Sequence, residues 1–289
     1  MAVTPRPIDV LQLGQQRAIC CWQVGELLVD PGPASTLETV LGALDVEPRV
    51  VLLTHIHLDH AASAGTLARR FPGLKVFVHE RGARHMLDPS KLLASATRIY
   101  GEHMDMLWGT FEAVPADQLT VLSGGERLDF GECGRYEVLY TPGHAVHHVS
   151  YISEDGDAFV GDVAGTRVPG SAVVLPPTPP PDIHPPDWQA SLAALAERAP
   201  ARLLYTHFGE TDEVSAHLAQ LSERVDHWAE RARDYDLAAW TELTRAEMIE
   251  VGAGQGEVDY QLGPGAAEAN YGGLRRYWDK RAAEATSAV

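Results

Sequence analysis

Apolar and polar positions alternate over short runs at the start of the chain: IDVLQLG, RAICCWQVG and ELLVDPG, broken at Gly14 and Gly25. Runs of this period punctuated by glycine predict an antiparallel meander. Ser35 or Thr36 can cap a helix carrying Leu37, Val40, Leu41 and Leu44. Residues 50–53 form the short apolar run of a buried strand. A helix is expected over 61–70, a strand over 75–78, and one or two helices over 81–108 with a break at Pro89. Further strands are expected at 119–122, 136–140, 148–153 and 158–160.

The stretch PPTPPPDIHPPDW lacks the N–H groups a sheet needs and predicts a stiff extended loop. Asp187 can then cap a helix through Leu192, Leu195 and Ala196, and residues 202–205 form a last strand leading to His207. From Glu210 onward, Val214, Leu218, Leu221, Val225 and Trp228 recur at the three- and four-residue spacing of an amphipathic helix. Glycine density between Val251 and Gly273 predicts a loop, and LRRYWDKRAAEA a short final helix. The expected division is 1–209 for a core and 210–289 for a helical appendage.

Composition narrows the function classes. With 289 residues, 45% hydrophobic and 22% charged, the chain suits a globular enzyme. A net charge of −17 without a Lys/Arg cluster opposes nucleic acid as a ligand. The three cysteines, Cys20, Cys21 and Cys133, read as buried thiols of a reducing compartment. The N-terminal stretch has no cationic segment followed by an apolar run, and no stretch reaches the length of a membrane span. A cytoplasmic protein acting on a small molecule is expected, with no membrane partner and a homodimer as one assembly open to it.

The candidate chemistry begins where the strand at 50–53 ends, in Thr54-His55-Ile56-His57-Leu58-Asp59-His60. On an extended chain His55 and His57 project to one side, so two imidazoles face one ion. If the chain then turns into the helix expected from Ala61, Asp59 and His60 swing toward a neighbouring ion. His144, Asp162 and His207 each follow an expected strand, and ligands at the ends of different strands are held by a rigid sheet.

The segments THIHLDHA, TPGHAVHHVSY, Gly161-Asp162 and YTHFG resemble the successive motifs of the metallo-β-lactamase superfamily, over roughly residues 8 to 210. They match the glyoxalase II branch especially, and the helical appendage is similar to that of relatives of the quinolone-signal-response protein. The resemblance implies an α/β protein, a four-layer αβ/βα sandwich with metals at one edge and a C-terminal helical appendage contributing to the substrate pocket. It assigns His55, His57 and His144 to a first metal, Asp59, His60 and His207 to a second, and Asp162 to a bridge. His57 stands where the flavodiiron branch has Glu, which favours hydrolysis over oxygen reduction.

Imidazole and carboxylate suit two divalent ions, zinc foremost, with iron or manganese also accommodated. A bound ion lowers the pKa of water from 15.7 to about 7, making a bridging hydroxide the expected nucleophile. Asp59 is the candidate catalytic residue, either handling a proton or serving as a plain ligand. The expected reaction is hydrolysis of an acyl thioester or activated ester. Lactone or phosphodiester hydrolysis, a mononuclear iron oxygenase resembling persulfide dioxygenases, and a ligand-binding signalling protein remain open.

Asp30, in its DPGP turn, and Thr54, Thr141 and Thr206 stand where they can orient metal-binding histidines. His147 and His148 read as supporting or strand residues, and His79, His85, His217 and His227 as structural. His103, Met104, Met106, Trp108, His184 and Trp188 can line a pocket, with packing the stronger reading for Met104 and Trp108. Tyr271, Arg275, Arg276, Tyr277 and Lys280 read mainly as surface residues.

Overall fold

The first sheet of the computed structural model, which describes residues 3–167, 171, 173–263 and 265–287, follows chain order. Its strands are β1 (Arg6–Asp9), β2 (Cys20–Val24), β3 (Leu27–Val29), β4 (Val50–Leu52), β5 (Lys75–His79) and β6 (Leu119–Leu122). The expected meander β1–β2–β3 is antiparallel, whereas β3 through β6 are parallel. Parallel neighbours need long crossovers. Here these carry α1 (Leu37–Ala43), α2 (Leu58–Ala61), α3 (Ala64–Arg70), α4 (Glu80–Leu87), α5 (Ser90–Tyr100) and α6 (Met104–Trp108).

The second sheet contains β7 (Arg127–Asp129), β8 (Arg135–Tyr140), β9 (Val149–Ser153), β10 (Asp157–Phe159), β11 (Arg202–Tyr205) and β12 (Gly209–Thr211). Its order is β12-β11-β10-β9-β8-β7, with β10 and β11 its parallel pair. Sequence periodicity missed β7 and β12. Both are three-residue strands at the sheet's edges, where few side chains are buried to mark a period.

The side-chain period of two sorts residues between the two cores. Cys20, Trp22, Val24, Leu27, Val29 and Leu52 meet Tyr136, Val138, Tyr151, Phe159 and Leu204 between the sheets. The alternate residues Cys21, Leu28, Val51, Leu53, Val76 and Val78 face the helices with Leu67 and Met86. Cys20 and Cys21 therefore point to opposite faces, and burial pushes both thiols well up. Cys133 departs from the expected burial and is only half-buried.

Residues cluster into two compact units that interleave along the chain. The first comprises Met1–Tyr140, His147–Gly161 and Pro200–Asp212 and contains both sheets. The second comprises Thr141–Val146, Asp162–Ala199 and Glu213–Val289. Its helices are α7 (Pro185–Arg198), α8 (Val214–Asp234), α9 (Leu237–Glu250), α10 (Gln255–Leu262) and α11 (Ala266–Ser287).

Three local expectations are corrected. Helix α7 starts inside the proline run, with Pro185 at a first-turn position where its missing N–H costs nothing. Its cap is His184, whose Nδ1 accepts from the Asp187 backbone N–H at 3.3 Å, rather than Asp187. The glycine-rich stretch is largely helical, and a Cβ at Gly273 would collide with the Thr178 carbonyl, so glycine there serves close packing. Thr36 does precede α1, but its hydroxyl donates to the Pro33 carbonyl at 3.1 Å and makes no side-chain cap. Among the described residues no helix is long and apolar enough to cross a membrane.

Candidate metal centre

Strand β4 runs out at Leu52, the Leu53 N–H still donates to the Phe77 carbonyl, and the chain then carries His55 and His57 in the turn before α2. The helix starts at Leu58, three residues earlier than expected, so Asp59 and His60 occupy its first turn. The His55 and His57 rings meet edge to face with centroids 4.6 Å apart. His55 and His60 are buried.

Beneath these rings lies Asp30, fully buried and in the left-handed region at φ 48. Its Oδ1 accepts from the Thr54 N–H at 2.8 Å. Its Oδ2 accepts from the Thr54 hydroxyl at 2.7 Å, the Thr206 hydroxyl at 2.8 Å and His60 Nδ1 at 2.8 Å. The orienting bond expected of Asp30 is thus visible at His60, whereas the Thr206 hydroxyl bonds Asp30 rather than a histidine.

These partners fix the tautomers. A carboxylate only accepts, so His60 carries its proton on Nδ1. The Thr54 hydroxyl spends its proton on Asp30, so its oxygen accepts from His55 Nδ1, 3.1 Å away. His207 Nδ1 lies 3.2 Å from the Ala18 carbonyl, again an acceptor only. In all three rings Nε2 then carries the lone pair, the tautomer that metal-binding histidines adopt.

Asp59 Oδ2 stands 3.2 Å from His207 Nε2 and 3.6 Å from His60 Nε2. Ligand atoms of Asp59, His60 and His207 all lie within 4.8 Å of one another. Two imidazole lone pairs converging with a carboxylate form a donor set for a cation. Zinc, iron and manganese all take such donors.

In the second unit His144 and Asp162 approach each other, with Nε2 3.4 Å from Oδ2. His144 Nδ1 is 2.9 Å from the Pro177 carbonyl, so this ring too presents Nε2. Its edge meets Trp188, whose Nε1 donates to the Val163 carbonyl at 2.7 Å. Trp188 is therefore a fully buried packing residue rather than pocket lining.

His148 stacks on His55 with centroids 5.1 Å apart, and His147 Nδ1 accepts from the Ile56 N–H at 3.4 Å. Both support the ligand loop. His79 caps α4 and stacks on Tyr140. His217 Nε2 lies 2.7 Å from the Ala164 carbonyl, and burial lowers its pKa to about 4. The Tyr271 hydroxyl donates to the Tyr235 carbonyl and Arg275 pairs with Asp279, within the second unit.

Two contributions were not read from the sequence. The Ala18 and Pro177 carbonyls orient the candidate ligands His207 and His144 as backbone atoms, which carry no residue signature. Tyr100, at the end of α5, lies close enough to Asp59 to feel its charge; burial first and that charge second push its phenol up to about 12. Its ring meets Trp108 edge to face at 5.2 Å.

Gly161 closes β10 just before Asp162, at φ +45, where a Cβ would collide with Thr54 Oγ1 and His148 Nε2. Gly161→Ala is expected to destabilise the protein by about 1–3 kcal/mol through strain and overpacking. Thermal melting checks this, and an unchanged midpoint would show that the turn has room to spare.

The family model of the metallo-beta-lactamase superfamily matches residues 25–207. Metallo-beta-lactamase fold-containing protein ST1585 of Sulfurisphaera tokodaii is 28% identical over 215 residues, 72% of this chain and 78% of that one. Its solved structure superposes with a TM-score of 0.70, covering 95% of this chain and 99% of that chain at 23% identity. TTHA1623, solved in a di-iron-bound form, gives a TM-score of 0.53 at 26% identity over 74% of this chain and 97% of that one. The hydroxyacylglutathione hydrolase of Hamiltonella defensa is 27% identical over 154 residues, 50% of this chain but only 47% of that protein. A family match that starts between β2 and β3 and ends on His207 takes in the two sheets' central strands and more than half of the chain, and on it this protein belongs to the metallo-beta-lactamase superfamily.

Proposed function

We propose that the protein is a dinuclear metal-dependent hydrolase of acyl thioesters or activated esters. In this reading His55, His57 and His144 would hold one ion, Asp59, His60 and His207 the other, and Asp162 would serve both. The observation that carries it is the common tautomer of His55, His60, His144 and His207, each with Nδ1 engaged and Nε2 presented. Zinc is the proposed metal, and the di-iron form of TTHA1623 makes iron the first comparison.

Bound metals would supply a water ionised near neutral pH and a Lewis acid for the carbonyl. The chain's own part is orientation. Asp30 and the Ala18 carbonyl hold His60 and His207, and Asp59, whose carboxyl side chain is 22% exposed, can take up a proton released at the centre. The resemblance to a hydroxyacylglutathione hydrolase supports an acyl substrate, and the net charge of −17 disfavours a polyanion.

Element analysis of protein purified without added metal should find close to two metals per chain, with His207→Ala losing mainly one of them. On a panel of uncharged thioesters, esters, lactones and phosphodiesters, the acyl substrates should lead. One metal in fully loaded protein would overturn the dinuclear reading in favour of an oxygenase. A phosphodiester turned over a hundredfold faster in kcat/KM than every acyl substrate, about 2.7 kcal/mol, would overturn the substrate class.

A further inference from the structure

Residues 176–181 read Pro-Pro-Thr-Pro-Pro-Pro, and proline has no N–H. Thr178 therefore carries the one backbone donor of the stretch, and the loop's position depends on what holds that donor and the loop carbonyls. Within the second unit the donor goes to helix α11: the Thr178 N–H donates to Asn270 Oδ1 at 2.8 Å. A backbone N–H requires an acceptor, which fixes the orientation of the Asn270 amide. The Thr178 hydroxyl donates to the Asn270 carbonyl at 3.0 Å. Thr178 is fully buried at this contact, and Gly273, three residues further along α11, lets the helix backbone come up against the Thr178 carbonyl.

One residue before Thr178, the Pro177 carbonyl accepts from His144 Nδ1 at 2.9 Å. The backbone beside His144 is held separately, by α7 and its cap. The Ser191 hydroxyl donates to the Pro142 carbonyl at 2.6 Å, and the His184 N–H donates to the Gly143 carbonyl at 2.8 Å. These bonds fix where the ring is attached. The direction in which it points depends on the Pro177 carbonyl and on the edge contact with Trp188.

We propose that Asn270 is a positioning residue for His144: by holding Thr178 it fixes the Pro177 carbonyl, and through that carbonyl the tautomer and direction of the imidazole. The assignment rests on the reading of His144 as a metal ligand and adds a helical-unit side chain that tunes this ligand. The group bonded to a ligating histidine's second nitrogen governs metal affinity by about 10–100-fold. Here that group is a backbone carbonyl, so the side chain in control stands one step further out.

The test is a double-mutant cycle read by zinc calorimetry, because a coupling appears only between residues that act on each other. In a His207→Ala background, Asn270→Ala should weaken zinc binding about 10–100-fold. In a His144→Ala background it should leave zinc binding as it was. Asn270→Asp keeps an acceptor for the Thr178 N–H and should restore the affinity. Should the alanine variant not fold, Asn270→Gln, which displaces the acceptor by one methylene, takes its place in the cycle. A second readout needs no turnover: the Nδ1–H resonance of His144 in protein labelled with ¹⁵N-histidine, identified by its loss in His144→Ala. It should be slow to exchange in wild type and Asn270→Asp, and lost or broadened in Asn270→Ala.

Equal loss of zinc affinity in both backgrounds, or an unchanged His144 resonance in Asn270→Ala, would overturn the positioning role and leave the metal assignment standing. His144→Ala binding zinc as wild type does, while Asn270→Ala still loses the ring resonance, would overturn His144 as a ligand and leave Asn270 as the residue that fixes its ring.

Discussion

Asp30→Ala should cost the protein at least about 4 kcal/mol, because four donors lose their acceptor at once and each buried unsatisfied group costs about 1–3 kcal/mol. The donors are the Thr54 N–H, the Thr54 and Thr206 hydroxyls and His60 Nδ1. The hydroxyls can turn elsewhere, but the backbone N–H and the imidazole cannot. Against a total stability of about 5–15 kcal/mol the loss is a large fraction. The melting temperature should fall by about 10 °C or more in a unit of this size. Asp30→Asn should also be unstable, because an amide NH₂ in place of Oδ2 would face three donors. Metal affinity should weaken by about 10–100-fold in whatever folds, as His60 loses its orientation. A midpoint within a few degrees of wild type would show that Asp30 is not holding these segments together.

Asp59→Asn should behave in the opposite way, with stability nearly intact and turnover lost. The side chain is 22% exposed and its Oδ2 lies near Nε2 of His207 and His60, so the isosteric amide removes charge without opening a cavity. Loss of either a ligand or a proton acceptor at the centre should lower kcat about a hundredfold or more. Circular dichroism should match wild type, and element analysis separates the two roles. Metal loss points to a ligand, and retained metal with lost turnover points to proton handling. Wild-type kcat at wild-type metal content would remove both.

The candidate site was legible because its chemistry is local: His55, His57, Asp59 and His60 fall within one six-residue stretch at a strand end. Asp30 was legible through its turn, although the sequence could not show it serving Thr206, which is 176 residues away. What stayed hidden has a common cause. Edge strands β7 and β12 bury too little to show a period, and backbone carbonyls such as those of Ala18 and Pro177 are invisible in residue identity. Glycines misled at α11, where Gly273 marks close packing beside Thr178 rather than a loop. Leu11 and Leu13 misled as well, since IDVLQLG has strand-like alternation while β1 stops at Asp9 and the two leucines turn left-handed.

The Asp30 cradle also sets an order of events during synthesis. Its N–H donor and one of its two hydroxyl donors come from Thr54, but Thr206 arrives 176 residues after Asp30, and Trp22 Nε1 must wait longer still, 183 residues, for the Tyr205 carbonyl. At about 5–20 residues per second, the ribosome delivers Thr206 roughly 10–35 s after Asp30. Through that interval a carboxylate destined for full burial, and the β2 face destined to meet the second sheet, are held by a nascent chain that cannot yet close over them. Chaperone access to the N-terminal third, and its vulnerability to aggregation, therefore follow from where one threonine falls in the reading frame.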